Sequence, residues 1–133
     1  MTETILRINE TTFKKDKNSW ESYDGFEIVT DNQSIKLGIY NGQNCCESWG
    51  YFMTNDSLDE FIGSEILDIK VVDDSLNVET LKKAQLYDDA CIMFVNIETN
   101  KGTLQFTVYN QHNGYYGHDA IVISDQLNHS EFL

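Results

Sequence analysis

The sequence predicts a mainly β domain of α+β character, an antiparallel sheet of about seven strands curled into a sandwich or open barrel, with one or two short helices. Three observations lead there. Short apolar runs with alternating pattern recur along the chain, and turn-forming Gly, Asn and Asp punctuate them every ~8–12 residues. Helical spacing is confined to brief stretches. The chain has 133 residues, enough for one domain spanning 1–133 and too few for two ordinary ones. Proline is absent, so turns fall to the eight Gly and to Asn and Asp, which tolerate left-handed backbone.

Ile5, Arg7 and Asn9 alternate with Leu6, Ile8 and Glu10 as a first strand, followed by the polar loop Lys14–Asn18. Phe26–Thr30 and Ser34–Tyr40 flank Asp31-Asn32-Gln33, the composition of a tight hairpin. In the second arm Ile35, Leu37 and Ile39 share one face and Lys36, Gly38 and Tyr40 the other, so one face is buried. Asn41–Gly50 reads as a loop with glycine near each end. Asp56–Gly63 reads as a short helix: Asp56 or Ser57 caps it, Ser57 and Glu60 have capping-box spacing, and Gly63 stops it. Glu65–Asp73 returns to strand. Leu76–Leu86 fits a helix or a strand interrupted by Lys82-Lys83. Cys91–Glu98 and Thr103–Tyr109 surround Asn100-Lys101-Gly102, a hairpin whose glycine takes positive φ. Asn110–His118 is a second polar loop, Asp119–Ser124 a last strand, and the remainder a tail. No solenoid repeat or low-complexity linker interrupts the pattern.

The charge is lopsided: 22 acids against nine Lys and Arg give a formal net charge of −13, while 41% of residues are apolar. That apolar content excludes a disordered acidic tail. The negative charge argues against direct nucleic-acid binding, which draws on Lys and Arg to release counterions. No run approaches the ~20 apolar residues of a membrane span, and Met1-Thr2-Glu3-Thr4-Ile5 lacks the basic and apolar regions of a signal peptide. Three cysteines, Cys45, Cys46 and Cys91, fit reduced thiols better than a disulfide framework. Residues 19–75 hold twelve acids and two bases. Within them Asp56, Asp59, Glu60, Glu65, Asp68, Asp73 and Asp74 have only Lys70 among them, and these seven form the candidate partner-binding surface.

Cys45-Cys46-Glu47 with Cys91, His112 or His118 is considered as a metal site. Adjacent cysteines fit one tetrahedral ion poorly and no second ligand pair follows, so no metal or other cofactor is expected. Surrounding acids would raise a cysteine's pKa and weaken it as a nucleophile, and with 22 acids a chance carboxylate pair carries no meaning. No catalytic residue is assigned. Asn113-Gly114-Tyr115-Tyr116-Gly117-His118 sets two flat amphipathic rings between glycines. With Trp49 and Tyr51 these residues, Tyr115, Tyr116 and His118, make a candidate ligand pocket; equally, the tyrosines can cover an end of the core.

Cys45-Cys46-Glu47-Ser48-Trp49-Gly50, then Ile62-Gly63, then Gly114-Tyr115-Tyr116-Gly117 resembles, in that order, a family of small phage and prophage proteins of Gram-positive bacteria. The resemblance covers roughly Ile35 to Ile123. It implies a phage accessory protein in the host bacterial cytoplasm, and small acidic phage proteins often look like anti-defence factors, anti-CRISPR inhibitors among them. The expectation is a non-enzymatic, DNA-mimicking inhibitor that pairs its acidic face with Arg and Lys in the DNA-binding surface of a host nuclease such as Cas9. The alternative is a module that sequesters a nucleotide signal or a sugar in the aromatic pocket.

Overall fold

A computed structural model describes residues 3–14, 18, 20–42, 48–53, 58–72, 91–111 and 117–133. Among the described residues there are nine strands: β1 Glu3–Lys14, β2 Ser22–Thr30, β3 Ser34–Tyr40, β4 Ser48–Met53, β5 Glu65–Val72, β6 Cys91–Thr99, β7 Gly102–Gln111, β8 Asp119–Ile123 and β9 Asn128–Phe132. They form one antiparallel sheet in the order β4-β7-β6-β5-β1-β2-β3-β8-β9. The mainly β expectation holds, with nine strands in place of about seven. β4 lies at the end of a stretch read as loop, and β9 in a stretch read as tail. The expected helix over Asp56–Gly63 is, among the described residues, a single 3-10 turn, Leu58–Phe61, whose Phe61 is buried. Leu76–Leu86 lies outside the described residues.

β1 joins two halves of the sheet. Its start pairs with β5, Glu3 opposite Ile66 and Thr4 opposite Glu65, and its remainder pairs with β2. The register on β2 shifts between Ile5 and Arg7. There the backbone of Ile5 is held by the turn before β5: its N–H donates to the Ser64 carbonyl at 2.9 Å, and its carbonyl accepts from the Gly63 N–H at 2.8 Å. Gly63 has φ +88°, a left-handed conformation that costs a side-chain-bearing residue roughly 1–2 kcal/mol.

The two halves face each other across one core. Ile5, Phe26, Ile28, Ile35, Leu37 and Ile39 meet Ile69, Val95, Ile97, Leu104, Phe106 and Val108, all nearly fully buried. Phe26 crosses the gap edge-on to Phe106, with ring centroids 6.0 Å apart. Gly102 opens the β6–β7 hairpin at φ +130°, as expected of that turn. A smaller cluster of Phe13, Tyr23 and Ile121, with Tyr40 and Ile123, covers the outer side of the β1-β2-β3-β8 half.

One end of this body is tied by polar contacts between turns. Glu3, buried, accepts from the Thr30 hydroxyl at 2.7 Å and from the Gln126 amide at 2.7 Å. Thr30 in turn accepts from the Gln33 N–H at 2.9 Å, and Gln33 accepts from the Asp125 N–H at 2.7 Å. Three chain segments far apart in sequence are thereby fixed to one another.

Gly25 and Gly38 sit opposite each other in β2 and β3. A Cβ on Gly25 would collide with the Leu37 carbonyl oxygen and the Gly38 Cα, backbone atoms that cannot swing aside. Gly25→Ala is therefore expected to lower stability by about 3 kcal/mol, at the upper end of ordinary overpacking, read as a fall in the denaturant midpoint. An unchanged midpoint would contradict this packing.

Candidate functional site

Four of the seven candidate carboxylates are described: Asp59, Glu60, Glu65 and Asp68. Asp59 and Glu60 are exposed on the 3-10 turn, whose Phe61 points into the core. Glu65 opens β5 half-buried, and Asp68 is exposed on that strand. The register shifts between Ile66 and Asp68, so Ile66 and Ile69 both turn inward while Leu67 and Asp68 face out. Asp68 also bonds the chain locally, its carboxylate accepting from the Ile69 N–H at 2.9 Å. Across the ladder Asp68 stands opposite Glu98, whose carboxylate pairs with Lys70 at 2.9 Å. The hydrogen bond and charge of Glu98, with a smaller contribution from Asp68, hold the Lys70 ammonium above the ordinary lysine range.

The structure thus gathers Asp59, Glu60, Glu65 and Asp68 along the 3-10 turn and β5. Asp56, Asp73 and Asp74 lie outside the described residues. Negative charge is not confined to this side, however. Glu10, Asp24 and Glu27 stand on β1 and β2, and Asp119 and Glu131 on β8 and β9.

The aromatic candidates are partly brought together. Trp49 and Tyr51 alternate along β4 and both pack against the core. Trp49 lies 5.5 Å from His118, centroid to centroid, and Tyr51 lies 5.7 Å from Phe26 and 6.1 Å from Phe106. His118 is 0% exposed. Its Nδ1 is 2.7 Å from the Tyr40 carbonyl, and since that oxygen only accepts, Nδ1 carries the proton. The His118 N–H and C=O exchange bonds with Leu133 at 2.9 Å each. His118 thus links β3 to the end of the chain. Tyr115 and Tyr116, like Cys45, Cys46 and His112, lie outside the described residues. Cys91 is a free, exposed thiol, and no group of three metal-ligating side chains occurs among the described residues.

Sequence reasoning missed the polar partners of Tyr51. Its hydroxyl donates to Glu10 at 2.7 Å. Beside Glu10 on the same side of β1, the Thr12 hydroxyl donates to Asp24 at 2.8 Å, and the Asn41 amide donates to Asp24 at 2.9 Å. The inner side of the sheet therefore changes from apolar at Ile5 and Ile8 to polar at Glu10 and Thr12. The only signal in the sequence was that parity, and the register shift before Arg7 concealed it.

Against this geometry, comparison with known families gives one result. A family model described as a domain of unknown function, DUF7448, matches residues 1–122. The chain belongs to the DUF7448 family. The match takes in β1 through most of β8, so both candidate clusters lie within the matched residues. Comparison with curated proteins and with solved structures gives no match. No helix among the described residues is long and apolar enough to cross a membrane.

Burial, the hydrogen bond to Glu10 and the nearby charges of Glu10 and Asp24 push the Tyr51 hydroxyl above the usual tyrosine range. An unfolded tyrosine loses its proton near pH 10, so above that pH the folded chain holds more protons than the unfolded one and stability falls as pH rises. Wild-type stability is expected to decline from about pH 10 upward, and Tyr51→Phe is expected to make the decline shallower. Denaturant midpoints at pH 8 to 11.5 test this; parallel declines would show that Tyr51 ionises as freely as in the unfolded chain.

Proposed function

We propose that this DUF7448 protein is a non-catalytic, acidic binding protein that occupies a basic surface on a host protein. The observation that carries this reading is the set Asp59, Glu60, Glu65 and Asp68 on two consecutive elements, none of them within ion-pair distance of a described base. Lys101, the nearest turn lysine, directs its ammonium to the Ile62 carbonyl at 3.4 Å. Carboxylates on a rigid strand and turn lose little conformational freedom when a cationic groove meets them, and they speed encounter at low salt. A groove that holds DNA presents Arg and Lys at phosphate spacing, and Arg takes a carboxylate in the same bidentate manner as a phosphate. The resemblance to small phage proteins makes a nuclease of bacterial defence, such as the Cas9–guide complex, the partner class, and the host cytoplasm the place of action.

In a DNA-cleavage assay with that complex, the wild type is expected to inhibit and Asp59→Lys/Glu60→Lys/Glu65→Lys to lose at least about tenfold in potency, with the loss of inhibition mirrored by raised salt. These side chains are not core residues, so the thermal midpoint should move little. Full potency in the triple variant, or no inhibition by the wild type, would overturn the nuclease reading.

A second reading is favoured by Tyr51, Glu10, Asp24, Thr12 and Asn41. Aromatic rings beside hydroxyl, amide and carboxylate groups suit a sugar, whereas the two carboxylates oppose a phosphate. A rise in thermal midpoint with a monosaccharide panel, insensitive to moderate salt and lost in Tyr51→Phe, would support sequestration of a small ligand. No shift across the panel would dismiss it.

A further inference from the structure

Away from both groups, β9 forms an edge of the sheet, bonded to β8 alone among the described strands. Which way its peptide groups point follows from the two ends of that pairing. His118 and Leu133 exchange N–H···O bonds of 2.9 Å, and the Ser124 N–H donates to the Leu127 carbonyl at 3.0 Å. Bonded pairs alternate in an antiparallel ladder, so Leu127, His129, Glu131 and Leu133 turn their peptide groups toward β8. Asn128, Ser130 and Phe132 turn theirs away from the sheet, and all three residues are exposed.

Open edges are commonly blunted by proline, lysine or a bulge. β9 has none of these: it reads Asn128-His129-Ser130-Glu131-Phe132, and its register on β8 runs without a shift. Its two ionisable side chains, His129 and Glu131, stand opposite Val122 and Ala120 of the core, on the inner face. The His129 Nε2 is buried, lies 3.7 Å from Glu131 of its own strand, beyond hydrogen-bond reach, and has no hydrogen-bond partner among the described residues. Asn128, Ser130 and Phe132 occupy the outer face, where Phe132 is 77% exposed. A cavity of about 180 Å³ runs along this edge, between residues 121–123 and 128–130.

We infer that β9 pairs antiparallel with β9 of a second copy, about a two-fold axis at Ser130. Centred there, every outward peptide group finds a partner: Ser130 exchanges two bonds with Ser130, and Asn128 of each copy exchanges two with Phe132 of the other. Neighbouring registers give up one of these pairs. Centred on His129 the strands set imidazole against imidazole, and centred on Glu131 they set carboxylate against carboxylate. The Ser130 register instead sets His129 of each copy opposite Glu131 of the other, in the closer pairs whose Cα atoms stand about 4.5 Å apart. Imidazole offers a carboxylate an N–H in either of its charge states. Phe132 meets Asn128 of the other copy at the rim of the cavity. The contact is short and each copy carries a net charge of −13, so the dimer is a weak one that salt assists by screening the distant charges. The carboxylates of the 3-10 turn and β5 take no part, so this inference stands or falls apart from the proposed function.

Sedimentation equilibrium of the intact protein tests this, in about 0.15 M salt, where the screening length is about 8 Å. A reversible dimer is expected, with Kd between about 10 μM and 1 mM. Ser130→Pro removes an N–H that faces away from β8, so it should raise Kd at least about tenfold while the thermal midpoint moves little. His129→Glu should raise Kd about fivefold, and His129→Glu/Glu131→Lys should recover the loss. As protein concentration rises, amide exchange should slow at Asn128, Ser130 and Phe132 and stay unchanged at His129 and Glu131, which β8 already holds. A monomer up to about 1 mM would overturn the inference and leave the edge to a strand of another protein. So would a dimer that Ser130→Pro, with its midpoint retained, fails to weaken, or one that leaves the three outward amides exchanging as before.

Discussion

The change of partner along β1 is the constraint on which the rest of the structure depends. A strand paired with β5 at its start and β2 thereafter must shift register where the exchange occurs, and the shift falls at Ile5. The Gly63–Ser64 turn pairs both the N–H and the carbonyl of Ile5 there. The consequence reaches along the strand. Past the shift, Ile8, Glu10 and Thr12 look inward, so one strand supplies both the apolar floor of the core and the polar groups that meet Tyr51 and Asp24.

Much of the fold was legible in the sequence because its hairpins are local. Asp31-Asn32-Gln33 and Asn100-Lys101-Gly102 carry their own turn chemistry, and the flanking runs alternate cleanly. β4 was hidden because Gly50 imitates a turn residue. In the structure Gly50 sits under the Tyr109 ring, where a Cβ would clash, so this glycine serves close packing within a strand. β9 was hidden for a different reason. Asn128-His129-Ser130-Glu131-Phe132 is an edge strand bonded on one side, and it needs no apolar stripe to be held. Asp56–Gly63 has the caps of a helix but too little length: four residues of 3-10 turn suffice to bury Phe61 before Gly63 reverses the chain.

The candidate sites were less legible, since they join residues remote in the chain. The acids of Asp59 to Asp68 are adjacent in sequence, and counting charges finds them. Counting could not show that Asp68 binds the Ile69 N–H, which gives that carboxylate a part in holding the irregular start of β5 as well as a place on the surface. Trp49 and His118 are paired by residue type, and their rings do lie 5.5 Å apart, with His118 fully buried. The pair Glu10 with Tyr51 depends on strand order and register, neither of which residue type reveals.

Chemistry and anchoring divide between the two ends of the strands. At one end the turns at Asp31–Gln33, Ser124–Leu127, Gly63–Ser64 and Asn100–Lys101 bond to each other or to adjoining strands, with Glu3 buried among them. At the other end lie Tyr51 with Glu10, and Tyr23 between Glu21 and Asp119, beside the exposed rings of Trp20 and Phe132. Asp59, Glu60 and Glu65 stand at the anchored end, on the turn and strand that the Ile5 backbone and Asn100 tie in place. Phe132 stands at the opposite end, exposed on the edge strand β9. Any coupling between the two ends would have to run through β1 and β2, the strands that connect them.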